Sequence, residues 1–445
     1  MTTVTNDTHG ATRQHQSSGT DRPVGSRTPG RRAAGRRSSA VLVGLLLLAL
    51  AIGVAPAPTV AAADYILMPR AELLALPTSG TAWTELKSVA DEGLGTPDLC
   101  DQDSKHHLRT LASALVYART GSAAYGTKAR QGVMAAIETQ RVGCDNATLA
   151  LGRQLTAYVL AADFADLSGA NDTAFRAWLG PIRTKQIGGH SVWTSLTITH
   201  TASAANWGAH AGASRIAAGL YLGDSADVAA AAKVTRGFLG DRSAYAGFTH
   251  KLDGDDLSWT CSGSQSTYTP ENPPCTKSGI DVDGGFVTDI SRGGPLHWPP
   301  IDPGIPYQLE TIQGMGLQVE LLYRHGYGDA WSWSSKALKR AAAIITRSGD
   351  AGGTGWNETS ASRQMPWLLN LRYDTDIPTR SAGMGRSIGF TDWLYPPPPP
   401  PAKGATYVPL DPARLLDTRV DKGLEDPFKT GVVQSFQVTG PGSPV

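Results

Sequence analysis

The residues of this chain that could do chemistry fall into a few groups. Cys100, Cys144, Cys261 and Cys275 are even in number and lack the tight spacing of a zinc site, so they point to disulfides. Three pairings are open to four cysteines. The expected pair is Cys100–Cys144 with Cys261–Cys275, because each joins sequence neighbours and brackets a short unit. Asp253, Asp255, Asp256, Asp281 and Asp283 crowd one stretch, but the glycine and distal glutamate of an EF-hand loop are not in place. No metal is expected. Asp283 and Asp289 could be the paired acid and base of a glycoside hydrolase. Trp193, Trp207, Trp298 and Trp393 offer rings on which the C–H faces of a sugar can dock, although most aromatics in a folded chain are core. Arg109 and Arg153 lie in helical stretches whose ends could face a cleft. There is no P-loop, dinucleotide fingerprint or Gly-x-Ser-x-Gly elbow, and no cofactor is expected.

The elements that must position these residues are helices. Leu108, Leu111 and Leu115 share one helical face, as do Leu151, Leu155, Tyr158 and Val159, and again Ile312, Met315, Val319 and Leu322. Alanine-rich stretches at 202–222 and 226–239 read as two more helices, broken at Gly223-Asp224. Helices in succession with short Gly, Asp and Ser connectors suggest stacked helical hairpins. The stretch 240–306 interrupts them and is rich in Gly, Pro, Asp and Ser; a loop this long inside a domain is usually functional. Residues 350–395 are mixed and hold Trp356, Trp367 and Trp393.

The ends have a different character. Residues 1–39 carry seven arginines, two aspartates and no lysine, and 40–54 is an uncharged apolar run. That run is too short to span a bilayer, which takes about 20 apolar residues. Ala61-Ala62-Ala63 then precedes Asp64, in the manner of a cleavage site. Residues 1–63 are therefore expected to be a signal peptide, and the protein to be secreted or held at the cell surface. With the leader removed the chain is mildly acidic, unlike a nucleic-acid binder with its basic face. Residues 64–395 are the expected main domain. Six prolines from Pro396 to Pro401 begin a stiff linker, 396–404. Residues 405–445 turn to strand-like runs such as 432–438 and read as part of a β-rich accessory domain, since about 40 residues cannot close one alone. "VPLDPARLLDTR" resembles the repeat start of β-rich accessory domains on bacterial cell-surface proteins. Such a domain would associate with the cell wall.

Four segments carry a wider likeness: "PRAELLALPTSGTAW", "ANWGAHAGASRIAAGLYLGD", "DGGFVTDISRGG" and "PYQLETIQGMGLQVELLYRHGY". On these the main domain resembles the alginate lyase family, polysaccharide lyases built on an incomplete (α/α) toroid. The resemblance implies a mainly α fold of helical hairpins, a monomer, and an acidic polysaccharide as substrate. It implies cleavage beside a uronic acid by β-elimination. The proton removed is α to a carboxylate and very weakly acidic, so donors must neutralise that carboxylate while a base and an acid flank the reacting bond. By the family's pattern Asn206 and Arg292 are the neutralising donors and Tyr307 does the proton work.

The sequence departs from the family at one position. Trp207 stands where the motif places histidine, and it could stack on a sugar but cannot exchange protons. His210, three residues on, is the expected auxiliary, with His200 and His297 as further candidates. Trp207, His200, Arg109, Arg153 and Trp298 are expected to bind substrate. If no histidine serves, Tyr307 acts as both base and acid, or activity is lost. The alternatives to a lyase are thus a catalytically inactive carbohydrate-binding protein and an (α/α) toroid hydrolase.

Overall fold

The computed structural model describes residues 64–189, 192–356 and 363–397. The expected signal peptide, the linker beyond Pro397 and the expected β-segment 405–445 lie outside them. The described chain is mainly helical, as its periodicities predict. Short helices α1 (Arg70–Ala75) and α2 (Thr81–Asp91) open it. Then come α3 (His106–Thr120), α4 (Ala123–Ala136), α5 (Ala147–Phe164) and α6 (Gly169–Ile182). Next are α7 (Leu196–Ala202), α8 (Asn206–Leu222) and α9 (Ser225–Phe238). The Gly- and Pro-rich stretch carries α10 (Gly254–Trp259), a hairpin of β1 (Thr276–Lys277) and β2 (Ile280–Asp281), and α11 (Val287–Ile290). The strands are antiparallel, with Thr276 opposite Asp281. α12 (Gly304–Arg324), α13 (Trp333–Asp350), α14 (Met365–Tyr373) and α15 (Thr391–Leu394) complete the described chain. Ser334, Ser335 and Lys336 are left-handed, so the right-handed course of α13 starts after them.

Composition decides which helices lie inside. α5 and α8 are apolar or small on nearly every face and are buried along almost their whole length, as a helix apolar all round must be; α12 is buried as deeply but carries Gln308, Glu310, Gln313, Gln318 and Glu320 inward among its apolar residues. α3 packs on α5, α5 on α8, and α8 on α12. α4, α9 and α13 each bury one stripe and lie against α3, α8 and α12 respectively. Glycine lets the inner helices meet closely. A Cβ on Gly152 of α5 would stand 3.0 Å from the Ala211 nitrogen, and one on Gly314 of α12 would stand 2.5 Å from the Ala209 carbonyl carbon. Both helices therefore press on the turn of α8 that follows Asn206.

The break expected at Gly223-Asp224 is present. Gly223 takes the left-handed conformation (φ 72°) and Asp224 caps α9 by accepting from the Asp227 N–H. The helix expected from residue 202 instead starts at Asn206. Its first N–H has no partner in its own helix, and it donates to the Asp289 carboxylate from α11 at 2.7 Å. A tertiary contact thus sets a boundary that local sequence could not.

Both expected disulfides, Cys100–Cys144 and Cys261–Cys275, are formed. The first ties the approach to α3 to the approach to α5. The second closes a unit of the long stretch beside β1. By loop-closure reasoning the first is worth about 4 kcal/mol and the second about 3 kcal/mol, and such bridges belong to an oxidising compartment.

Candidate active site

The inner helices converge on a cavity of about 600 Å³. Its wall includes Arg153 from α5, Asn206 and Trp207 from the start of α8, Arg292 just after α11, and Tyr307 and Glu310 from the start of α12. Gln102, Asp103, Asn146, Trp193 and Arg386 complete the polar and aromatic lining. Six residues singled out in the sequence therefore meet: Arg153, Trp193, Asn206, Trp207, Arg292 and Tyr307.

Asn206 is fixed at both ends. Asp289 Oδ2 accepts its backbone N–H at 2.7 Å, and Oδ1 accepts its side-chain N–H at 2.9 Å. That uses one amide proton and leaves the second for a ligand. Asp289 also accepts from the Thr311 hydroxyl, and Arg292 Nε lies 3.6 Å from it. Burial pushes the Asp289 carboxyl above the usual carboxylate range, against the pull of Thr311, Arg292 and Asn206. The Arg292 guanidinium carbon sits 4.4 Å from the Tyr307 ring centre, over its face, in a cation–π contact. With 38% of its side chain exposed, Arg292 keeps donors available to solvent or ligand.

One turn along α12 from Tyr307, Glu310 gathers three partners. Arg153 Nη2 donates to it at 3.0 Å, Arg386 Nε lies 3.1 Å away and His210 Nε2 3.3 Å away. Burial alone would raise its carboxyl. The His210 hydrogen bond and the charges of Arg153 and Arg386 outweigh it and hold Glu310 at about 2. Arg386 also pairs with Asp103 at 3.2 Å and Arg153 with Gln102 at 3.1 Å. Three arginines, Arg153, Arg292 and Arg386, against Glu310 and Asp103 leave the lining positive.

The remaining candidates fall elsewhere. His210 is fully buried beneath the cavity, between Glu310 and the Ser387 hydroxyl at 2.7 Å. Burial lowers its pKa, so it is a neutral imidazole that donates from Nε2 and accepts at Nδ1. Ser387, His210 and Glu310 are ordered like a hydrolytic triad, but Ser387 and His210 are both sealed and present no nucleophile. His200 is buried near Arg215, and burial pushes its pKa well down. His297 bonds the Pro299 carbonyl. Arg109 pairs with Glu92 at 2.8 Å. Trp298 lines a separate cavity with Asp281 and Arg347. Asp283 is bound to Arg340 at 2.8 Å, and Asp289 is sealed behind Asn206, so these two carboxylates do not face one bond. Asp253 caps α10 by accepting from the Asp255 and Asp256 N–H groups.

Sequence reasoning missed Glu310, Arg386 and the anchoring role of Asp289. Glu310 had a readable signal, because it lies one turn after Tyr307 on the same helix face. Arg386 belongs to an irregular segment and had none. Trp193 and Trp207 both line the cavity, with ring centres 5.0 Å apart. Compared with known protein families and with curated proteins, the chain matches none.

Proposed function

We propose that this protein is an exported lyase that cleaves a uronate-containing polysaccharide by β-elimination. The observation that carries the reading is the convergence of Asn206, Arg292 and Tyr307 on one positively lined cavity. They come from three separate elements, and a uronate carboxylate needs this donor set. The Asn206 amide and the Arg292 fork bind the carboxylate of the sugar being cleaved. As charge develops there in the transition state, both bonds strengthen, so they lower the barrier more than they tighten the ground state. Tyr307, under Arg292, exchanges protons with the reacting bond. Trp193 and Trp207 stack on sugar faces, and Arg153 and Arg386 lie where a neighbouring acidic sugar would pass.

The order of helix packing supports an incomplete (α/α) toroid, with α3, α5, α8 and α12 inside and α4, α9 and α13 outside. The two disulfides support export. Likeness to the alginate lyase family supports the same chemistry. The test is direct: incubate the protein with alginate and other uronate polymers and follow ultraviolet absorbance from the new double bond conjugated to the carboxylate. Absorbance should rise with wild type and fall at least a hundredfold in rate with Tyr307→Phe. No signal on any uronate polymer sinks the lyase reading.

The sealed position of His210 favours a second reading, a carbohydrate-binding protein without catalysis. Retention of polymer with neither an unsaturated product nor new reducing ends supports it.

A further inference from the structure

Beside the main cavity lies a second one of about 460 Å³, and the two share Arg292 and Tyr307 as a common wall. The second cavity is also lined by His250, a residue that no motif marks. His250 is followed in sequence by the α10 cap, and its loop is held by two hydrogen bonds to the Gln265 side chain. Gln265 Nε2 donates to the His250 carbonyl at 2.6 Å, and Gln265 Oε1 accepts from the Leu252 N–H at 3.0 Å.

The ring itself is oriented by Asp256. Nε2 of His250 lies 2.9 Å from Asp256 Oδ2. Asp256 also accepts from the Ser291 hydroxyl at 2.7 Å and from the Asp253 N–H at 3.2 Å. Burial works against its charge, but these donors outweigh burial and keep Asp256 below the usual carboxylate range. An ionised carboxylate only accepts, so the proton of a neutral His250 sits on Nε2. That leaves a lone pair on Nδ1, and protonation there is balanced by Asp256. This is how a carboxylate prepares a histidine to act as a base. Ser291 immediately precedes Arg292, so one short segment fixes both the dyad and the carboxylate-binding arginine.

We infer that His250, oriented by Asp256, is the base of this site and that Tyr307 is the acid facing it across the reacting bond. The inference rests on the lyase reading. Nδ1 of His250 takes the proton from C5 of the uronate. The C–H electrons form the C4=C5 double bond, the C4–O4 bond breaks, and O4 takes the proton of the Tyr307 hydroxyl. Solvent then returns the proton from His250 to Tyr307, and the enzyme is restored with no oxidant or co-reactant. The dyad fills the role left open by Trp207 from a different part of the fold. The charged and titratable groups that line this cavity with His250 are Asp253, Asp255 and Asp256 on its own segment, and Arg292 and Tyr307 from the wall shared with the main cavity.

The experiment uses the mature protein on a uronate polymer that wild type cleaves, with His250→Ala and His250→Gln compared. Positioned acid–base groups are worth about 10²- to 10⁴-fold. Each variant should lose at least a hundredfold in kcat with KM within about threefold and an unchanged melting temperature. Added imidazole should restore His250→Ala at least tenfold. A variant kcat within threefold of wild type overturns the assignment. So does a loss that tracks a lowered melting temperature and resists imidazole. If wild type cleaves no uronate polymer, the lyase reading itself fails and takes this assignment with it; an active wild type with an active His250→Ala removes the assignment alone.

Discussion

Asp289 grips Asn206 twice, accepting its backbone N–H at 2.7 Å and its side-chain N–H at 2.9 Å. One buried carboxylate thus sets where α8 begins and which way the Asn206 amide faces. The same carboxylate lies 3.6 Å from Arg292, so it aligns both donors that would bind a substrate carboxylate. Asp289→Asn replaces two acceptors with one acceptor and one donor, and the new donor opposes an N–H of Asn206. A buried donor left unpaired costs about 1–3 kcal/mol. The variant should melt lower and lose roughly ten- to a hundredfold in kcat/KM on a uronate polymer. Full activity in a folded Asp289→Asn would separate Asn206 from the chemistry.

The helices were legible because their apolar spacing is a local property, and so was the Gly223 break, which needs only a left-handed residue. The start of α8 was not, because it depends on Asp289, which is remote in sequence. The same division runs through the site. Asn206, Arg292 and Tyr307 sit in segments that could be matched to a family pattern. Arg386 and His250 sit in irregular segments, where no periodicity or spacing says which way a side chain faces. His210 misled for a related reason. It lies one turn from Asn206, but that turn is where α5 and α12 close in on α8, and their contact seals it.

Trp207 lies at the cavity wall with its ring centre 5.0 Å from that of Trp193. A stacking surface binds ground state and transition state alike, so its loss acts on affinity more than on turnover. Trp207→Ala should raise KM about tenfold or more while kcat changes less than about threefold. Trp207→Phe, which keeps a ring face, should recover most of that. Steady-state kinetics on one polymer decides it, and a fall in kcat at constant KM would contradict the stacking role.

Glu310 gives a pH signature of the cavity. Its carboxyl is held at about 2, below the ordinary 4.5, by His210, Arg153 and Arg386. A carboxyl depressed on folding adds stability that is present above its unfolded value and is lost as pH falls toward the folded one. The protein should therefore lose on the order of 3 kcal/mol between pH 4.5 and about 2 from this group. Glu310→Gln cannot titrate, so its stability should decline less steeply across that window, even though it starts lower because Arg153 and Arg386 keep only Gln102 and Asp103 as partners. Denaturant melts at half-unit pH steps measure both slopes. Parallel slopes would mean the carboxylate is not held as described.

Asp163 should behave in the opposite sense. It lies at the end of α5, largely buried, and its Oδ2 accepts the Ile66 N–H at 2.7 Å, which pins the buried run from Tyr65 to Met68. Burial is the main cause that raises its carboxyl to about 7. A raised carboxyl stabilises the fold fully below its unfolded value near 3.8, and that contribution is lost as pH rises through about 7. The loss is at most about 4 kcal/mol. Asp163→Asn keeps an oxygen to accept from Ile66 and carries no charge at any pH. Its stability relative to wild type should therefore improve between pH 4 and pH 8, whatever the offset at pH 4 from its unpartnered amide N–H groups. The readout is the change in that difference between the two pH values, measured by thermal or urea unfolding. An unchanged difference would mean that Asp163 ionises without cost in the folded protein and that solvent reaches it behind Ile66.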